Sequence, residues 1–132
     1  MSTYYATARS SAFKVRDVAK FKKFCERYRL ELFREDDKDH GQLYGFVCPD
    51  DGMPSCYMDD DEDWIDVDFE EELSNHVAEG WCAVLMEVGA EKAAYLVGYA
   101  SIISSDGCED HINLGDTIFE KADKSKFKYS RF

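Results

Sequence analysis

The 132-residue chain lacks any apolar run near the roughly eighteen residues needed to cross a bilayer, which excludes a helical membrane span. Its opening, Met1-Ser2-Thr3-Tyr4, has neither the basic nor the apolar part of a secretion signal, so a soluble, intracellular protein is expected. Gly-rich phosphate loops and a GxSxG nucleophile motif are missing, and His40, His76 and His111 lie far apart in sequence. No catalytic centre and no cofactor are therefore expected. Five cysteines, Cys25, Cys48, Cys56, Cys82 and Cys108, are an odd number and three lie in apolar periodic contexts, so reduced, mostly structural thiols are the expectation. Cys108 and His111 form a lone CxxH pair without the second pair that zinc needs. The acidic stretch beginning at Asp59 has Trp64 in its sixth position, where a calcium loop requires Gly, so no specific metal site is expected.

What is abundant is negative charge, and it is unevenly spread. The net charge of -12 divides into +6 for residues 1–30, -16 for residues 31–79 and -2 for residues 80–132. Within the middle third, YMDDDEDWIDVDFEEE (57–72) contains ten acids and no Lys or Arg. Carboxylates this close repel one another, and such a run serves either solubility or a cationic partner. It also argues against nucleic acid as a direct ligand, because phosphates would be repelled.

Around this segment the periodicities predict an α+β domain spanning residues 1–132 with an acidic loop at about 49–67. A first strand is expected over Thr3 to Val15, with an irregularity at Ser10 and Ser11. Asp17 is placed to cap a helix over Val18 to Arg29, whose apolar face is Val18, Phe21, Phe24, Cys25 and Tyr28. Strands at Leu30–Phe33 and Gln42–Cys48 would form a hairpin, with Asp36, Asp37 and Asp39 at one end. Asp50 and Asp51 would leave from the other, roughly 20 Å away at about 3.3 Å per residue. A second helix is predicted from Phe69, closing at Gly80, with Glu70, Glu71 and Glu72 in its first turn. Trp81–Val88 and Ala93–Ile103 read as central strands. Asn113 should cap a last helix that buries Ile118, Phe119 and Ala122. The order β-α-β-β-α-β-β-α suits an antiparallel sheet with helices on one face, of ferredoxin-like or split βαβ type.

Trp64, Tyr57 and Met58 are unusual companions for a solvated acidic run. Either they tie it to its own core or they fill a pocket on a partner. In both cases the carboxylates would be held in place, as imitation of a phosphate backbone requires. The candidate partner-binding residues are Asp59, Asp60, Asp61, Glu62, Asp63, Trp64, Asp66, Asp68 and Glu71. A second group comprises Asp36, Asp37, Asp39, Asp50 and Asp51.

The segments YYATARSSAFKVRDVAKF (4–21) and VLMEVGAEKAAYLVGYA (84–100) resemble a group of small acidic proteins encoded by phages and other mobile elements, similar in kind to anti-CRISPR and anti-restriction inhibitors. The resemblance implies a non-enzymatic DNA mimic in the cytoplasm of a bacterial host. It would occlude the basic surface of a host defence complex, with a type I CRISPR complex as the first expectation. The alternative is an acidic protein-protein interaction module, antitoxin-like or regulatory, without mimicry. Monomer and dimer both stay open.

Overall fold

Asp17 begins the first helix as its sequence suggests, its carboxylate accepting a hydrogen bond from the Lys20 amide at 3.1 Å. The helix, α1 (Val18–Arg27), stops two residues short of the expected end because Arg29 enters the left-handed region at φ 56°. In the computed structural model, which describes residues 4–48, 52–54, 56–58, 61–91, 95–128 and 130, α1 follows strand β1 (Tyr4–Ser10). The first strand thus ends earlier than expected, at the paired serines. Their hydroxyls explain the break: Ser10 Oγ accepts the Phe46 amide at 3.0 Å and Ser11 Oγ accepts the Val84 amide at 2.9 Å. Phe13 and Val15 then form single bridges to Tyr44 and Val77.

Strands β2 (Glu31–Asp37) and β3 (Gly41–Cys48) form the expected hairpin, with β2 running to Asp37. The acidic stretch departs from a loop. Residues β4 (Cys56–Met58) and β5 (Trp64–Asp66) pair antiparallel as a separate two-stranded sheet. Helix α2 (Phe69–Ser74) is only six residues long and does not reach Gly80. Ser74 donates its hydroxyl to the Glu71 carbonyl at 2.6 Å, and the chain leaves the helix at Asn75. Val77 is buried, as its position suggested, but on extended backbone bridged to Val15.

Strands β6 (Cys82–Glu91) and β7 (Tyr95–Ser104) carry the apolar runs, and β8 (Gly107–Asn113) is an addition to the expected order. The six-stranded sheet runs β2-β3-β1-β6-β7-β8, and every pairing in it is antiparallel. β6 is central, next to β1, while β7 lies one strand from the edge.

One face of the sheet carries the core. Ala8, Phe46, Cys48, Ala83, Leu85 and Ile103 meet Phe21 and Phe24 of α1 and Phe69 and Leu73 of α2. Rings dominate the contact: Phe24 lies 5.3 Å from Phe69, 5.2 Å from Tyr28 and 4.8 Å from His76 between centroids. The third helix, α3 (Leu114–Asp123), is capped by Asn113 as expected but lies on the opposite face. Gly98 pairs with outward-facing Val88, and a Cβ on it would come within 3.0 Å of Leu114. Helices therefore occupy both faces, and of the α3 residues expected to be buried Ile118 is exposed while Phe119 and Ala122 are half-buried. No strand forms after Lys124 among the described residues. No helix is long and apolar enough to cross a membrane among them.

Buried thiols follow from this packing. Burial pushes Cys25 and Cys48 up to about 12, with neighbouring Cys48 and Glu26 adding to the first and Glu87 to the second, so both stay protonated at neutral pH.

Truncating Phe24 to Ala should destabilise the fold by about 3–5 kcal/mol, the range for deleting a buried phenyl ring, measured by denaturant unfolding. His76 supplies a pH test. Burial against Phe24 and Phe21 lowers its pKa, Glu72 opposes this, and Arg27, Lys20 and Arg16 add to it. The folded chain then binds fewer protons than the unfolded one once pH falls below about 6.5. Wild type should lose stability relative to His76→Leu as pH drops from neutral toward 5, and parallel melting curves for the two would refute this.

Candidate functional site

The acidic hairpin is held at both ends. At its entry, the Met53 amide donates to Glu87 Oε1 at 2.6 Å. Glu87 comes from β6 and is only 9% exposed. Gly52 makes the approach possible: its φ is +81°, and a Cβ there would lie 2.1 Å from the same oxygen. At the exit, Val67 packs against the core and Phe69 is buried within it. Between these anchors the chain turns back from Met58 to Trp64, with Glu62 at φ 64°.

Asp61, Glu62, Asp63, Trp64 and Asp66 are exposed on this hairpin. Trp64 is 67% exposed, so it does not tie the segment to its own core. Asp59 and Asp60 lie outside the described residues, as do Asp50 and Asp51, and the Tyr57 and Met58 side chains are not described. Asp68 is exposed and caps α2, accepting the Glu71 amide at 3.1 Å. The three glutamates of the first turn then separate. Glu72 turns inward, taking Arg27 Nη1 at 2.6 Å and the Tyr28 hydroxyl, and burial with this bond raises the Tyr28 pKa. Glu70 accepts from Ser101 at 2.9 Å. Glu71 remains exposed.

The second acidic group sits elsewhere. Asp36, Asp37 and Asp39 lie at the turn from β2 to β3, on the outer strand of the large sheet. Asp37 is partly folded into the turn, accepting the Asp39 and His40 amides at 2.8 and 3.2 Å, while Asp36 lies 3.7 Å from Arg34. The hairpin belongs to a different sheet, and α2 after it contacts β7 and β8 across the molecule. The two acidic groups are thus carried by separate elements. Arg27 of α1 reaches an acid of the middle third, Glu72, at 2.6 Å.

A cleft of about 440 Å³ opens beside the hairpin entry, lined by Met53, Glu70, Glu87, Tyr99, Ser101 and His111. The CxxH pair straddles it: His111 lines the wall and Cys108 sits beside Glu70, whose carboxylate, after burial, holds the thiol above its usual pKa. A thiol kept protonated is a poor nucleophile, and the cleft carboxylates are occupied in accepting hydrogen bonds. Among the described residues no three His, Cys, Asp or Glu side chains are grouped to hold a metal. Glu87 escapes sequence reasoning as a functional residue; its one signal is a lone acid inside the apolar run of β6.

Comparison with known protein families, with curated proteins and with solved structures finds no match to this chain.

Replacing Glu87 with Ala would leave the Met53 amide without its acceptor and should cost about 1–3 kcal/mol. The same variant should be cleaved faster by protease within residues 49–67, read by mass spectrometry. Cleavage at the wild-type rate would show that Glu87 does not hold the hairpin.

Proposed function

We propose that this chain is a non-enzymatic acidic inhibitor that presents its hairpin to a basic, nucleic-acid-binding surface and keeps DNA from it. The observation that carries this reading is Trp64, exposed beside a turn of consecutive acids on a hairpin anchored at both ends. An aromatic side chain at the centre of such a surface provides a hot spot, while the surrounding carboxylates supply steering and register. The resemblance of residues 4–21 and 84–100 to inhibitors of phage and mobile-element origin directs the proposal to a host defence complex, with type I CRISPR as the leading target. In this reading β1, β2, β3 and β6, in the order β2-β3-β1-β6, form a split βαβ scaffold of ferredoxin-like type to which the other strands are additions.

The separation of the two acidic groups favours one variation. If only the hairpin engages, the chain acts as an acidic interaction module, antitoxin-like or regulatory, whose partner keeps its nucleic acid. Affinity capture from a bacterium with its own CRISPR and restriction systems, followed by duplex DNA competition for the captured partner, separates the two. In the mimic reading, neutralising Asp59, Asp60, Asp61, Glu62, Asp63, Asp66 and Asp68 to Asn or Gln abolishes competition while circular dichroism stays unchanged. Trp64→Ala should weaken binding by about 30-fold, a loss of roughly 2 kcal/mol. Undiminished competition by the neutralised variant would overturn the proposal.

A further inference from the structure

The face of the sheet opposite α1 and α2 is apolar and largely uncovered. Strand register puts Val84, Met86, Val88 and Ala90 of β6 on this face, level with Ile102, Ala100, Gly98 and Leu96 of β7. Ile112 of β8 joins them opposite Ala100. These side chains are all apolar, and two charged residues share the face with them: Arg9 of β1, paired with Met86, and Asp110 of β8, paired with Ile102. Met86, Val88, Leu96, Ile102 and Ile112 are 40% to 67% exposed, and α3 adds Leu114 and Ile118 at 59% and 51%.

We propose that this face is a homodimer interface, occupied by the same face of a second copy of the chain. The area is the first argument. Together the exposed aliphatic side chains present on the order of 700 Å², above the roughly 300–600 Å² of the largest patch on a typical monomer and close to the ~800 Å² per partner of a stable interface. Chemistry is the second. The apolar centre of this face selects an apolar partner, and an isologous pair brings two such centres together with Arg9 and Asp110 beside them. The third argument is α3. It leaves Leu114 and Ile118 exposed and only half-buries Phe119 and Ala122, whereas helices of this length draw their stability from packing an amphipathic face. A second copy covers Leu114 and Ile118 and completes that packing. A hollow of about 230 Å³ lined by Val84, Ala100, Ile102 and Ile112, with Asp110 among its bordering residues, is of a size for an aliphatic side chain from the other copy.

This face belongs to the six-stranded sheet and the acidic hairpin to a separate one. Its salt response also has the opposite sign. Two copies, each of net charge -12, repel one another, so added salt should tighten the pair, whereas salt weakens any hairpin contact with a cationic groove.

Sedimentation equilibrium of the full chain over a wide concentration range tests the proposal. The expected result is a species of twice the 15.2 kDa chain mass that dissociates on dilution and persists to lower concentration in high salt. Val88→Glu and Leu96→Glu, both at exposed positions, should return the mass to that of one chain with an unchanged circular dichroism spectrum. Oxidation of Met86 by dilute peroxide, followed by mass spectrometry on wild type, reads the same face without any substitution and should slow as protein concentration rises. A wild-type chain that stays monomeric at all concentrations, a dimer untouched by both substitutions, or a Met86 oxidation rate independent of concentration would overturn it. A monomer that captures another protein through this face would assign the surface to a different partner and equally refute self-association.

Discussion

The aromatic cluster around Phe24 is the contact on which the rest depends. It joins α1 to α2 through Phe69 and both helices to the sheet through Phe46. Phe69 is the first residue of α2 and is separated from the acidic hairpin by only two residues, Val67 and Asp68. Seating that ring therefore fixes where the hairpin leaves the molecule. Apolar packing does the positioning, and the charges follow from it.

The carboxylates in this segment divide their roles by neighbourhood. Glu72 is satisfied inside the fold by Arg27 and Tyr28, Glu70 by Ser101, and Asp68 by the amide it caps. These interactions relieve part of the repulsion in a segment with ten acids, and they keep the helix start in register. Asp61, Glu62, Asp63 and Asp66 stand farther out on the hairpin, next to exposed Trp64. A run that looks uniform in sequence is therefore graded from structural to outward-facing along its length.

How much of this was legible depended on whether a residue's neighbours were local. The cap at Asp17, the amphipathic face of α1 and the apolar runs of β6 and β7 depend on spacing within one element, and the sequence displays them. Strand β8 was not visible, because Gly107-Cys108-Glu109-Asp110-His111 has no apolar alternation and is held by a ladder to β7 that only the fold creates. The length of α2 was overestimated because Val77 continues a helical spacing, yet its burial comes from a bridge to Val15 sixty-two residues earlier. Trp64 could be read either way from sequence, and its exposure removes one alternative. Glu87 was the least legible: a single acid in an apolar strand has meaning only once the Met53 amide lies over it.

The two surfaces argued for here have opposite physics, and their separation makes them compatible. The hairpin and α2 begin on the side of the sheet where α1 packs, whereas Met86, Val88 and Ile112 face the other way. An apolar contact is indifferent to sign of charge and gains when salt screens the repulsion between two acidic copies. A carboxylate array facing a cationic groove loses under the same screening. Joining two copies by their apolar faces leaves each copy's hairpin outside the contact. A dimer built this way offers two hairpins at once, and a second engagement made within a tethered pair is favoured by effective concentration when the partner repeats its basic surface. In the proposed dimer the apolar back face would multiply what the charged hairpin presents.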